Sequence, residues 1–322
     1  MKCTMKTDST RDLLSEIFVS VTIPVHNEAE NIDELCRRLT ETLEEQPYPY
    51  EIIFIDDGST DGTVRTLKAN REVNRKIRVI KLQRNYGQHI ALVAGIEYTK
   101  GNVIVTLDGD LQNHPEDIPL FITKIEEGYD FVSGWRVKRY DSLLRKIPSF
   151  FLNKLICRVT GVKFHDYNCG INAVRKSIIG NMRIHGERRR FFPALMATLA
   201  ASTCEVKVGH SARTKGKSQY DFFKLVGLMA DFVSTFTIKP FRIIGVTGVA
   251  LFLLSVLFGT TYLAARAFGL ISPMPKAVVT TFIAFFGGVQ FAILGFVGEY
   301  LVRIYHFLQQ DSLFEVETII EE

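Results

Sequence analysis

The chain has 322 residues, 47% of them hydrophobic, with a formal net charge of +4 and no long run of Lys or Arg. That length accommodates one large domain with an appendage, and the charge pattern excludes a nucleic-acid footprint. The five cysteines (Cys3, Cys36, Cys157, Cys169, Cys204) contain no C-x-x-C pair, which argues against a disulfide framework or structural zinc and fits a reducing compartment.

Met1–Glu16 mixes charged residues and Ser without an apolar core. It is not a signal peptide, so the first half of the chain is expected to stay in the cytoplasm. From there β-branched runs alternate with helix-compatible stretches. Phe18–Pro24 predicts a strand, and Glu30–Glu45 predicts a helix with Ile32, Leu35, Leu39 and Leu43 at helical spacing. Glu51–Ile55 predicts a second strand, Thr60–Asn70 a helix and Ile77–Leu82 a third strand. Gly87–Thr99 predicts a helix whose Ala91 and Ala94 permit close packing, Asn102–Leu107 a fourth strand, and Asp130–Ser133 the start of a fifth. This order predicts an α/β fold with a mostly parallel sheet covered on both faces, whose ligands bind beyond the carboxyl ends of the strands. Asn27-Glu28, Asp56-Asp57 and Asp108/Asp110 all fall at such ends.

Residues 143–160 and 219–240 are apolar with interspersed charges and predict helices lying in a membrane interface. Residues 243–265 and 277–298 contain no charge, and each exceeds the roughly 20 residues that cross a bilayer core. Pro273 and Pro275 lie in the link between them, so the pair predicts a transmembrane hairpin. Lys224, Lys239, Arg242 and Arg303 at its outer ends favour both termini in the cytoplasm. The expected division is thus an extension at 1–17, an α/β domain at 18–218, a juxtamembrane helix at 219–240, the hairpin within 241–300 and a cytoplasmic tail at 301–322, acidic from Glu315 onward.

Asp108-Gly109-Asp110, followed by Gln112, sets two carboxylates just past a strand, where they can converge on a hard divalent cation. Mg2+ takes one or two protein carboxylates plus phosphate oxygens and water, and neutralises charge on a departing diphosphate. Asp56-Asp57-Gly58-Ser59, with Asp61, offers acceptors for a base or ribose, or alternatively caps the next helix through Ser59 or Asp57. Pro24-Val25-His26-Asn27-Glu28 ends the first strand and opens a helix. Arg84-Asn85-Tyr86-Gly87-Gln88 supplies a cation for phosphate and a glycine for close approach. Arg188–Arg190 suits a lipid phosphate or a solvated face, and Trp135 suits a sugar platform or the core.

Together, I-P-V-H-N-E, I-D-D-G-S-T-D-G-T, R-N-Y-G-Q-H, T-L-D-G-D-L-Q-N-H-P-E, D-Y-N-C-G and R-T-K-G-K-S-Q-Y, with the hairpin after them, resemble the family-2 inverting glycosyltransferases. Within that family the pattern is similar to the polyisoprenyl-phosphate glycosyltransferases, which include dolichol-phosphate mannose synthase and bacterial undecaprenyl-phosphate glucosyl- and aminoarabinosyl-transferases. The resemblance implies a Rossmann-like nucleotide-sugar domain. It implies a UDP-sugar donor (UDP-glucose as the first expectation), a polyisoprenyl phosphate acceptor, Mg2+ or Mn2+, membrane lipid and a homo-oligomer. It places Pro24, Asn27, Glu28, Asp56, Asp57 and Arg84 at the nucleotide sugar, and Asp108, Asp110 and Gln112 at the metal and diphosphate. Arg136, Arg213, Lys215 and Ser218 would meet the acceptor or diphosphate, and Asp166 would act as base or orienting group. His26 departs from the Tyr of several relatives. A processive polysaccharide synthase would carry Q-x-x-R-W and more spans, and a non-catalytic scaffold of the same fold would not need the Asp108/Asp110 pair.

Overall fold

The structure is a computed structural model that describes residues 17–137, 156–158, 160–167, 169–180, 191–209, 211 and 314–321, with scattered positions between 260 and 304. The chain divides into two compact units, one of residues 1–232 with 312–322 and one of residues 233–311.

The first unit contains β1 (Val19–Val25), α1 (Ala29–Glu44), β2 (Tyr50–Asp56), α2 (Thr63–Val73), β3 (Ile77–Leu82), α3 (Gln88–Glu97) and β4 (Val103–Thr106). A 3-10 turn at Pro115–Asp117 leads into α4 (Ile118–Glu126). Then come β5 (Phe131–Arg136), β6 (Asn172–Arg175), α5 (Lys176–Ile179), α6 (Phe192–Leu199), β7 (Thr203–Val208) and β8 (Val316–Ile320). The described strands form one sheet in the order β7-β5-β6-β4-β1-β2-β3-β8. Pairing is parallel except that β6 runs against β4 and β5, and β8 runs against β3.

Every residue of β1 and β2 is buried, as expected of central parallel strands covered on both faces. Helix α1 buries Ile32, Leu35, Cys36, Leu39 and Leu43 as one stripe. Helix α3 packs flush on the opposite face, where a Cβ on Gly95 would lie 2.4 Å from Ile55 Cδ1. Only a residue without a side chain admits that approach.

Beyond the elements that the sequence reading does not address, three features differ from its expectation. Helix α2 starts at Thr63 rather than Thr60, because residues 59–61 are engaged with the start of α1. Strand β6 is inserted antiparallel between β4 and β5. The acidic stretch expected to be a tail is β8, paired with the edge of β3. The edge strand's unmatched backbone groups and basic side chains explain this. Lys81 Nζ lies 2.7 Å from a Glu317 oxygen, Arg78 pairs with Glu321, and buried Arg71 donates to the Ile320 carbonyl at 3.2 Å.

In the second unit, every described residue is helical except the turn residue Phe268. The expected spans at 243–265 and 277–298 lie almost wholly outside the described residues, as does 219–240. Of 143–160, residues 156–158 and 160 are described, and these are helical. Among the described residues no helix is long and apolar enough to cross a membrane.

A buried ion pair fastens β2 to β3. Glu51 Oε2 lies 2.7 Å from Arg78 Nη1, while Glu51 Oε1 accepts the Ser20 hydroxyl and the Lys100 amide, both at 2.6 Å. Removing one partner strands a buried charge. Arg78→Ala is therefore expected to cost about 3 kcal/mol, against under about 1 kcal/mol for Lys81→Ala at the more exposed pair. Chemical denaturation of the two variants checks the difference.

Candidate active site

The loops at the carboxyl ends of β1, β2 and β3 are stitched together by side chains of their own motifs. Asp57 is 2% exposed. Its Oδ1 accepts the Tyr86 amide at 2.7 Å and its Oδ2 the Gly87 amide at 2.8 Å. Its own amide donates to the Val25 carbonyl at 2.9 Å. Gly58, at φ +65°, lies so close to the next loop that a Cβ would sit 2.5 Å from the Arg84 carbonyl carbon. The D-D-G and R-N-Y-G segments thus pack backbone to backbone. Asp57 clamps the second to the first.

Asp56 is fully buried. Its Oδ2 accepts the Ser59 amide at 3.3 Å, and its Oδ1 is buried with no partner among the described residues. Burial holds its carboxyl above the ordinary range. The rest of that motif reaches back to the start of α1, while Asp61 Oδ1 also accepts the amide of Thr63, the first residue of α2, at 2.9 Å. Ser59 Oγ accepts the Asn27 amide at 2.9 Å, Thr63 Oγ1 the Glu28 amide at 3.0 Å and Asp61 Oδ2 the Ala29 amide at 3.2 Å. Asn27 Oδ1 accepts the Thr60 amide at 2.9 Å in return. These are the otherwise unpaired donors at a helix start, supplied from the neighbouring loop. Arg84 is exposed, its guanidinium 4.8 Å from the centre of the Tyr86 ring.

The acidic pair follows β4. Asp108 Oδ1 accepts Gln88 Nε2 at 2.6 Å. Its Oδ2 sits in a gap left by Gly170, where a Cβ would come within 1.9 Å of it. Gly109 lies against β1, where a Cβ would be 2.7 Å from Val25 Cγ1 and 3.3 Å from the Pro24 carbonyl. Asp110 Oδ1 accepts the Gln112 amide at 3.1 Å. Leu111 (φ 58°) and Asn27 (φ 55°) are the non-glycine residues at positive φ among those described, and both stand in these motifs. No group of three or more His, Cys, Asp or Glu gathers among the described residues. The Asp108/Asp110 donors are hard carboxylate oxygens, which suit Mg2+ or Mn2+ completed by phosphate oxygens and water.

At the end of β5, Arg136 Nε and Nη2 reach Asp166 at 2.7 and 3.2 Å. The Asp166 side chain is 1% exposed. The two-point contact fixes the orientation of the Arg136 guanidinium from a buried carboxylate. Glu205 Oε1 accepts the His165 and Asp166 amides at 2.7 and 3.3 Å and fixes that turn. Trp135 stacks on His165 with ring centres 4.1 Å apart. Gly170, which seats Asp108, is four positions after Asp166, which holds Arg136, a stride of at most about 14 Å. The D-Y-N-C-G segment thus ties the cation to the acidic pair.

Arg213, Lys215, Ser218 and Arg188–Arg190 lie outside the described residues. The chain leading to Arg213 is docked on the acidic turn. Ser211 donates its amide to the Gln112 carbonyl at 3.0 Å, and its hydroxyl lies 2.8 Å from His114 Nε2. Sequence reasoning did not single out Gln88, Gly170 or Glu205 as site residues. Gln88 sits beyond β3 at the same rim that flagged the other motifs, so the strand-end rule reaches it. Glu205 lies on β7, where only the fold reveals its neighbours.

Acids at the strand ends, an acidic pair and a guanidinium thus gather at the carboxyl rim of an α/β sheet. The chain belongs to glycosyl transferase family 2, whose family model matches residues 20–182. Similar proteins include the undecaprenyl-phosphate 4-deoxy-4-formamido-L-arabinose transferases of Pseudomonas savastanoi pv. phaseolicola (40% identical, covering 94% of this chain and 91% of that one) and of Proteus mirabilis (39%, covering 94% of each). Among solved structures, the chain resembles glucosyl-3-phosphoglycerate synthase from Mycobacterium tuberculosis in complex with Mn2+, UDP-glucose and phosphoglyceric acid. That likeness has a TM-score of 0.51 at 18% identity, covers 68% of this chain and 78% of that one, and supports the fold.

Gly170→Ala is expected to push the Asp108 carboxylate off its seat and lower kcat/KM by about 100-fold or more with the fold retained, as steady-state kinetics beside circular dichroism will test. Asp56 gives a pH test. Its folded pKa is raised, so the native state binds the extra proton, and its contribution to stability falls as pH rises from the unfolded carboxylate pKa toward the folded one. Asp56→Asn is therefore expected to gain stability relative to the parent as pH climbs through that window, measured as the difference in unfolding midpoints.

Proposed function

We propose that this protein transfers a sugar, with inversion, from a uridine-diphosphate donor to undecaprenyl phosphate at the cytoplasmic face of a membrane. The observation that carries this reading is the seat of Asp108 on Gly170, four residues from the Asp166 that holds Arg136. One segment brings together the acidic pair suited to a metal-bound diphosphate and a cation suited to a phosphate. The similar proteins named above support undecaprenyl phosphate as the acceptor. They give no support to glucose as the sugar, since their names carry 4-deoxy-4-formamido-L-arabinose, and that sugar becomes the first donor to test.

The chemistry follows from charge. A phosphate monoester is already largely ionised at neutral pH, its second pKa lying near about 6, so the acceptor needs little help from a base. The harder task is to bring two anions together and release a third. Arg136, held in one orientation by Asp166, is preorganised for that purpose. Asp108 and Asp110 would hold the divalent cation, which supplies charge neutralisation to the leaving diphosphate. Arg84, exposed and 4.8 Å from the Tyr86 ring centre, would supply a further cation for the donor phosphates.

Membrane placement rests on the uncharged stretches 243–265 and 277–298. Because β8 pairs with β3 in the same sheet as the preceding strands, any crossings in the chain between β7 and β8 are even in number, which a hairpin satisfies.

A transfer assay tests the proposal. Full-length protein, undecaprenyl phosphate and Mn2+ or Mg2+ are combined with a panel of labelled UDP-sugars that includes the formamido-arabinose and glucose donors. Lipid-linked product is expected from the arabinose donor, and Asp110→Asn is expected to reduce turnover by about 100-fold or more at unchanged expression in membranes. Absence of lipid-linked product from every donor would refute the enzyme reading and favour a scaffold.

A further inference from the structure

Strand β8 serves both layers of the sheet because its register shifts. Ile320, Ile319 and Thr318 face Val79, Ile80 and Lys81 in turn, but Leu82 faces Val316 and skips Glu317. An extra residue of this kind resets the side-chain alternation of a strand. Ile320 accordingly packs on the cluster beneath α1, while Val316 and Phe314 pack on the cluster of Ile53, Ile55, Ile80, Leu82, Ala91 and Ala94 beneath α3. Glu317 is left on the exposed side, paired with Lys81.

Tyr86 packs on that same second cluster. The turn that follows has no packing of its own at Gly87, where a Cβ would meet nothing within 4 Å. With the Gly58 backbone packed against Arg84 and Asn85, the Tyr86 ring and the Asp57 clamp hold the segment. Arg84 stacks on one end of it, and Gln88 at the other end donates to Asp108. The Gln83 amide, just before it, donates to the Glu315 carbonyl at 3.0 Å.

We propose that the C-terminal strand is a positioning element of the donor site: Phe314 and Val316 set the apolar floor that fixes Tyr86, and through the 84–88 segment they set Arg84 and the Gln88–Asp108 contact. Phe314 is the main positioning residue. It touches no reacting atom and acts through Tyr86. This rests on the transferase reading for its kinetic consequence, but the structural coupling stands apart from it. The last residues of the chain, which follow directly on residues 233–311, thereby belong to the nucleotide-sugar site.

The experiment uses the full-length protein and two readouts. In Phe314→Ala, hydrogen exchange at the Tyr86 and Gly87 amides is expected to rise about 10-fold or more, with the β1 amides unchanged. The KM for the UDP-sugar is expected to rise about 10-fold while the KM for undecaprenyl phosphate stays within about twofold. Phe314→Leu restores most of both effects, and Glu317→Ala leaves both at the parent's level. Should Phe314→Ala fail to fold, Val316→Ala and Phe314→Leu supply the same readouts at smaller amplitude. Unchanged exchange at Tyr86 and Gly87, or a rise spread evenly over the sheet, would overturn the proposal. A parent protein that protects those amides but transfers no sugar would instead sink the transferase reading, and the exchange data would still decide the coupling.

Discussion

The carboxylate of Asp57, buried where β2 ends, accepts the amides of Tyr86 and Gly87, and the geometry of the whole rim depends on it. Parallel strands end side by side with loops that would otherwise point independently into water. A charged acceptor that satisfies two backbone amides fixes one of these loops against another at little entropic cost, because the acceptor itself is held by the strand. From that fixed point Gln88 reaches Asp108, Gly109 rests on β1, and Gly170 leaves room for the Asp108 carboxylate. Glycine recurs here because backbones or carboxylates approach within a distance that any Cβ would block.

The same logic separates two kinds of charge. The Glu51–Arg78 pair is structural: it is buried, multiply bonded and set between β2 and β3. The Arg136–Asp166 pair is equally well formed, but it stands at the end of β5, next to the segment that seats Asp108. A guanidinium immobilised at such a position suits an arriving phosphate, since its orientation is set before the ligand comes. Asp166 is the group that holds that orientation.

Much of this was legible in the sequence. Buried runs such as Val19–Val25 and Ile77–Leu82, broken by amphipathic stretches, announce a parallel sheet, and the acidic motifs fall at its carboxyl ends because that is where loops can gather polar groups. Local patterns failed where a residue's partner is distant in the chain. Ser59 and Asp57 look like caps for the helix that follows them, yet Ser59 Oγ accepts the Asn27 amide before α1 and Asp57 accepts the amides of Tyr86 and Gly87. Glu315–Glu321 looks like a solvated tail because its acids are read without Lys81, Arg78 and Arg71, which stand some 240 positions earlier and draw it onto the sheet edge. Strand β6 was missed because its four residues carry too little periodicity to stand out. The site was legible by residue type, but not by duty: nothing in D-D-G-S distinguishes the clamp Asp57 from its neighbour Asp56, whose Oδ1 is buried without a partner among the described residues.

The central claim is that the Asp108/Asp110 turn, seated on Gly170 and braced by Gln88, binds a divalent cation together with a nucleotide diphosphate. Electron paramagnetic resonance of Mn2+ with the full-length protein, titrated with and without UDP, tests this most directly. The expected result is tight Mn2+ binding that requires UDP and disappears in Asp108→Asn. Mn2+ binding that ignores UDP, or that survives intact in Asp108→Asn, would contradict it.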